Sequence, residues 1–162
     1  MCILGIDPGT ASTGYGIIEE NQSGIKAIKY GVISTAANLP MGERIIAIYD
    51  RMIEIIEEFS PVSCAVEKLF FRRNVTTAIS VGQARGVVLL ALAQKGVAIA
   101  EYTPMQVKLA VAGYGGAEKK QVQFMVQSIL NLVDIPKPDD AADALAIAIT
   151  HAHSKKIMDL YE

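Results

Sequence analysis

The sequence predicts an α/β fold, a five-stranded mixed sheet flanked by helices, and three observations lead there. Short apolar runs of strand length alternate with longer segments whose apolar residues recur at helical steps. The first three strand-like runs are joined by tight connections, whereas the later ones are separated by whole helical segments, so hairpin and crossover pairings are mixed in one sheet. Of 162 residues, 51% are hydrophobic and 20% charged, enough apolar material for one packed domain over residues 1–162.

The run Ile3-Leu4-Gly5-Ile6, ended by Asp7-Pro8-Gly9-Thr10, fits a strand buried on both faces. A second strand is expected from Thr13 to Glu20 and a third from Ile25 to Ser34, with the Asn21-Gln22-Ser23-Gly24 turn making them a hairpin. From Gly42 to Phe59, residues Ile45, Ile46, Tyr49, Met52, Ile53, Ile56 and Phe59 recur at three- and four-residue steps, an amphipathic helix that Ser60-Pro61 ends. Ser63 to Lys68 reads as a fourth strand, Thr76 to Gln94 as a strongly apolar helix and Val97 to Tyr102 as a fifth strand. Thr103-Pro104 opens the next helix with a cap and a first-turn proline. Ala117 to Leu132 and Asp140 to Lys155 are the last two helices.

Composition excludes several classes. No apolar run is expected to reach membrane-spanning length, because the longest are broken by Gly, Gln, Lys or Asp. The opening MCILGIDPGT has neither a basic leader nor a small-residue cleavage site, and it reads as a strand of a cytoplasmic protein. Cys2 and Cys64 match no zinc spacing and are expected as small buried hydrophobes. The net charge of −2 hides a segregation: about four excess negative charges over residues 1–60, about five excess positive over 61–120 and about three excess negative over 121–162. A basic segment inside an acidic chain is compatible with one polyanion-facing surface.

Four carboxylates stand where carboxylates are costly. Asp7 ends the first strand and Glu67 ends the fourth, with no obvious partner in Lys68, which points to the opposite face. Asp140 and Asp143 lie three residues apart on one face of the last helix, whose other residues, Ala141 to Ile149, are almost all small and apolar. Such a helix packs tightly on the sheet and carries its acids inward. Convergence of these groups is tolerable only with hard cations, and an all-oxygen donor set suits Mg²⁺ or Mn²⁺. Taken singly, each acid has a plainer use: Asp140 or Asp139 as a helix cap, Asp7 as a turn residue before Pro-Gly.

The blocks Gly5-Ile6-Asp7-Pro8-Gly9-Thr10 with Thr13-Gly14-Tyr15-Gly16, Val66-Glu67 with Phe70 and Asn74, Gly82-Gln83-Ala84-Arg85-Gly86, Gln106-Val107-Lys108, Ala117-Glu118-Lys119 and Asp140-Ala141-Ala142-Asp143-Ala144-Leu145-Ala146 together resemble the RuvC family of Holliday-junction resolvases. Their order and spacing hold across nearly the whole chain. The resemblance implies an RNase H-like fold, a homodimer, and Mg²⁺-dependent sites, two ions each, that nick opposite strands of a four-way DNA junction. It also implies a branch-migration complex of RuvA and RuvB as partner. It makes Asp7, Glu67, Asp140 and Asp143 the metal-holding catalytic acids, with Lys108 and Lys119 near the scissile phosphate, Lys120 beside them on the nucleic-acid surface, and Phe70 acting on bases at the junction centre.

The residues themselves agree with a nucleic-acid surface. Phe70-Phe71-Arg72-Arg73-Asn74 follows Glu67 on a connection, where arginines can meet phosphates and one Phe can stack on a base while the other plugs the core. Arg85 reads either as a phosphate contact or as an ion-paired arginine. Gly14 and Gly16 either let DNA approach the second strand closely or permit a twist or bulge. His151, about 12 Å along the last helix from Asp143, cannot share a metal with it, and both it and His153 are expected as surface or late-helix residues. The helix Thr76 to Gln94, with Val87, Val88, Leu89, Leu90 and Leu92, reads as a dimer interface or as a doubly buried core helix. A YqgF-like nuclease of the same fold acting on RNA is the rival; that family shares the acidic opening strand but not the paired GQARG and DAADALA blocks. An actin-like phosphotransferase would need a second phosphate loop, and a non-enzymatic junction binder would not need the full set of acids.

Overall fold

The structure, a computed structural model, describes residues 1–68 and 75–160. Strands β1 (Cys2–Asp7), β2 (Ser12–Asn21) and β3 (Gly24–Ser34) are followed by helix α1 (Met41–Phe59), strand β4 (Ser63–Glu67), helix α2 (Val75–Gln94), strand β5 (Ala98–Tyr102) and helices α3 (Pro104–Ala112), α4 (Lys119–Ile129) and α5 (Asp139–Asp159). The five strands form one sheet in the order β3-β2-β1-β4-β5. β1 pairs antiparallel with β2 and parallel with β4, so the mixed sheet expected from the sequence is present and β1 is its centre.

Side-chain alternation along β1 and β2 sorts residues onto two faces. Leu4, Ile6 and Ile17 pack with Ile48, Met52 and Ile55 of α1 and with Val88 and Leu92 of α2. Ile3 and Ile18 face the other way, against Leu145, Ile147 and Ile149 of α5, with Val107, Val111 and Val126 of α3 and α4 closing that layer. α5 lies unusually deep: Ala141, Ala142, Ala144, Ala146 and Ala148 are all buried. Glycines make the depth possible. A Cβ on Gly5 would stand 2.1 Å from the Ala144 carbonyl oxygen, and one on Gly14 would stand 2.0 Å from that of Asp140. The space at Gly14 and Gly16 is thus filled by α5, which corrects both the DNA-approach and the bulge expectations; the register shift in β2 falls at Ile17/Ile18.

The helix boundaries have local causes. α1 ends where Ser60 turns left-handed, its N–H still bonded to the Ile56 carbonyl. α3 starts on a full capping box between Thr103 and Gln106. α4 is shorter than expected, because Glu118 forms a capping box with Gln121 at its start and the chain turns left-handed at Asn131 beyond its end. α5 runs on past Lys155 to Asp159. Among the described residues, α2 corrects the membrane-length expectation: Val75–Gln94 is long and apolar enough to cross a membrane by length and composition, since its interruptions are uncharged apart from Arg85.

The same helix corrects the list of outward hydrophobes. Val88 and Leu92 are core, Val87 and Leu89 are partly buried against it, and only Leu90 of the five is exposed. Val75, Ile79, Gly86, Leu90 and Ala93 instead form the exposed stripe.

Candidate metal centre

Asp7 reaches the site because β1 delivers it at the strand's C-terminal end, opposite Gly14 of β2. The turn that follows is braced: Thr13 donates to the Gly9 carbonyl at 2.6 Å, the Thr10 hydroxyl to the Ser80 carbonyl of α2 at 2.8 Å, and the Thr35 hydroxyl to the Thr10 carbonyl at 2.5 Å. Asp140 and Asp143 arrive from the first turns of α5, capped by Pro138 without a side-chain bond. Neither Asp139 nor Asp140 therefore serves as the cap. With no Cβ at Gly14 to hold α5 off, oxygens of Asp7, Asp140 and Asp143 come within 4.8 Å of one another.

Glu67 completes the group from the other side. It ends β4, and its carboxyl hydrogen-bonds that of Asp7. Together with Lys108, Lys119 and Asp143 it lines a cavity of about 280 Å³ whose apolar wall is Pro104, Val107, Val122, Ala146 and Ile147. Lys119 sits 3.5 Å from Asp143 and 3.4 Å from Asp139, and Gln123 donates to Asp139 at 3.0 Å.

The electrostatics follow from crowding. Burial, then the charges of Glu67, Asp143 and Asp140, push the Asp7 carboxyl up to about 8. Burial and Asp143 raise Glu67, though the bond from Asp7 and the charge of Lys119 offset part of it. Burial raises Asp143 too, against the pull of Lys119. Burial works against the Lys119 ammonium, but Asp143 and Asp139 overcome it and raise its pKa. Without a cation Asp7, pushed up to about 8, keeps its proton at neutral pH; a divalent ion held there would favour its ionised form. The residues fit such an ion, since every donor is a carboxylate oxygen.

The structure does not gather every expected residue here. Arg85 is paired with Glu101 and donates through Nε to the Glu67 carbonyl at 3.4 Å, the ion-paired alternative left open by the sequence. Lys120 faces a second cavity, with Ala112, Tyr114, Gln121, Phe124 and Met125. Phe70, Arg72, Arg73 and Asn74 lie outside the described residues. His151 is not a surface residue: it is half-buried, 2.9 Å from the Tyr102 hydroxyl and 3.0 Å from that of Ser63, and burial lowers its pKa. Cys64 is buried and its thiol pKa raised by burial, and Cys2 is partly buried, so both are the small hydrophobes expected. Gly14, Gln123 and Glu101 were missed as site-shaping residues. Only Gly14 left a sequence signal, as a glycine seven residues past Asp7 on the paired strand.

A central strand ending in an acid, a neighbouring parallel strand ending in another and a helix delivering two more define the RNase H-like class. The model of the family described as crossover junction endodeoxyribonuclease RuvC matches residues 3–151. A curated protein of that description from Desulfitobacterium hafniense is 58% identical over 159 residues, 98% of this chain and 96% of its own length. Another from Syntrophomonas wolfei is 54% identical, covering 100% of this chain and 94% of its own. The solved structure of Thermus thermophilus RuvC in complex with Holliday junction substrate superposes with a TM-score of 0.92 at 40% identity, covering 97% of this chain and 96% of that one. The chain belongs to the RuvC family. These matches do not support the RNA-directed alternative.

Proposed function

We propose that the chain is a Holliday-junction resolvase, an endonuclease that nicks opposite strands of a four-way DNA junction symmetrically in recombination and repair. The observation that carries the reading is the meeting of Asp7, Asp140 and Asp143, with Glu67 bonded to Asp7, in a chain so similar to RuvC proteins.

Asp7, Glu67, Asp140 and Asp143 would hold Mg²⁺, or Mn²⁺ in its place, with two ions per site as our reading of four convergent carboxylates. Bound there, such ions supply an activated water and neutralise charge on the attacking and leaving oxygens of an in-line displacement. The chain's own groups do the rest. Lys119, held over Asp143 and Asp139, is placed to exchange those partners for a phosphate oxygen, and Lys108 lines the same cavity. Val107, Val122 and Ile147 give the cavity an apolar wall that keeps bulk water from competing with the reacting phosphate. Lys120, Phe70, Arg72, Arg73 and Asn74 extend the DNA contacts, with Phe70 at the bases.

Residues 1–162 act as one nuclease domain and as a homodimer, because two nicks need two sites. The stripe Val75, Ile79, Gly86, Leu90 and Ala93 on α2 supports helix-to-helix pairing: its steps of four, seven, four and three residues keep it on one side of the helix, and among the described residues nothing beyond the helix's own nearby backbone stands within 4 Å of a Cβ on Gly86. RuvA and RuvB would present the junction, in the cytoplasm.

The test is incubation of purified protein with a synthetic mobile four-way junction and, separately, structured RNA, with Mg²⁺ or a chelator. Paired nicks on opposite strands, ligatable and Mg²⁺-dependent, are expected. Cleavage of RNA alone, or no cleavage with any divalent ion, defeats the reading.

A further inference from the structure

Arg85 is the one charged residue of α2, and its side chain is only 18% exposed. Its guanidinium is not turned outward to a polyanion. It spans three elements: from α2, Nε donates to the main-chain carbonyl of Glu67 at the end of β4, and Nη2 pairs with the carboxylate of Glu101 on β5. Glu101 stands opposite Val66, so it lies on the sheet face that α2 covers, while Glu67 points to the α5 face.

The end of β4 needs such a hold. The β1–β4 ladder stops at Ile6–Val66, one residue short of both carboxylates, and Pro8 follows Asp7 with no N–H to extend it. On the other side the recorded ladder ends at Glu67–Tyr102, with the Lys68 N–H bonded to the Tyr102 carbonyl at 2.8 Å. Proline follows again two residues on, at Pro104. The main chain that aims the Glu67 carboxyl is therefore bordered by proline-limited ladders. A planar donor fork anchored by Glu101 fixes it from the opposite face of the sheet.

We infer that Arg85, fixed by Glu101, is a positioning residue that sets the Glu67 carboxyl against Asp7, and so tunes the affinity of the centre for its ion without touching the substrate. This rests on the reading of Asp7, Glu67, Asp140 and Asp143 as an ion-holding set.

The test measures Mn²⁺ binding to the metal-free protein by calorimetry in the absence of DNA, for wild type, Arg85→Met, Glu101→Gln and Asp7→Asn. Arg85→Met should weaken Mn²⁺ at least about threefold, less than the ~10–100-fold typical of partners bonded to a ligand's own side chain, because it acts through the main chain. Glu101→Gln, a milder change at a 39%-exposed side chain, should weaken it in the same direction while melting like wild type. Junction binding in Ca²⁺ should stay within about twofold for both variants, with an unchanged salt slope. If Arg85 met a phosphate instead, Arg85→Met would weaken the junction and lower that slope by about one, and Glu101→Gln would free the arginine and tighten it; either result overturns the inference. Unchanged Mn²⁺ affinity in both Arg85→Met and Glu101→Gln, with a clear loss in Asp7→Asn, overturns the positioning role alone. No loss in Asp7→Asn takes down the ion-holding centre and the inference with it.

Discussion

The two faces of the sheet are built on opposite packing rules. The face under α1 and α2 is filled with large side chains, Leu4, Ile6, Ile17, Met52, Ile55 and Leu92, which hold the helices off and make a conventional core. The face under α5 keeps Ile3 and Ile18 against Leu145, Ile147 and Ile149, but between them Gly5 and Gly14 face alanine-rich helix, so that there backbone meets backbone. The first arrangement stabilises. The second trades apolar bulk for proximity, and proximity is what lets side chains as short as aspartate meet across two elements. The acidic cluster thus lives on the thin face.

That contrast can be broken at its most sensitive point by Asp7→Asn. Nicking should fall by at least about a thousandfold, ~4 kcal/mol of transition-state stabilisation, while junction binding in Ca²⁺ persists. A gel-based cleavage and binding assay reads both, and unimpaired cutting would show the thin face to be merely structural. Next in size, Gly14→Ala forces a methyl into a 2.0 Å gap against the Asp140 carbonyl. It should cost roughly 1–3 kcal/mol in denaturant unfolding and lower the nicking rate at least about tenfold. Its counterpart on the thick face, Ile55→Val, should cost ~0.5–1.5 kcal/mol and leave nicking intact. Equal effects on activity would dissolve the distinction.

Smaller effects sharpen it. Lys119→Ala should slow single-turnover nicking about tenfold, with a melting temperature close to wild type, because its ion pairs are exposed and screened. The pH response tests the crowding directly. Asp7 is pushed up to about 8, so the folded chain binds that proton more tightly than the unfolded one. The resulting advantage is full below about pH 4 and is lost as pH rises through about 8. Metal-free protein should therefore melt several degrees lower at about pH 9 than at about pH 6, Asp7→Asn should flatten the difference, and Mg²⁺ should restore the wild type at the higher pH. A curve that Asp7→Asn leaves unchanged would remove Asp7 from the crowded set.

Much of this was legible before any coordinates. Asp7 and Glu67 stood out as acids that each close an apolar strand, although Asp7 alone could equally serve the Pro-Gly turn, and the alanine-rich stretch after Asp140 pointed to a helix packed tightly on the sheet. The purpose of Gly14 was not legible. A glycine in a strand states that room is left, not what fills it, and the occupant is about 125 residues away in sequence. Arg85 was ambiguous for the same reason, since its partners Glu101 and Glu67 come from strands that only folding places beside α2. His151 was misjudged because distance along α5 says nothing of the helix's depth; Tyr102 and Ser63 enclose it.

The order of the acids along the chain has its own consequence. Asp7 stands on β1, yet its companions Asp140 and Asp143 ride on α5, which also touches β1, β2, β3, α3 and α4. A chain trimmed before α5 would lose two of the clustered acids and the helix that packs on the sheet in one stroke. Such a shortened nuclease is expected to be inert rather than indiscriminate, which a cleavage assay on a chain cut before Asp139 checks.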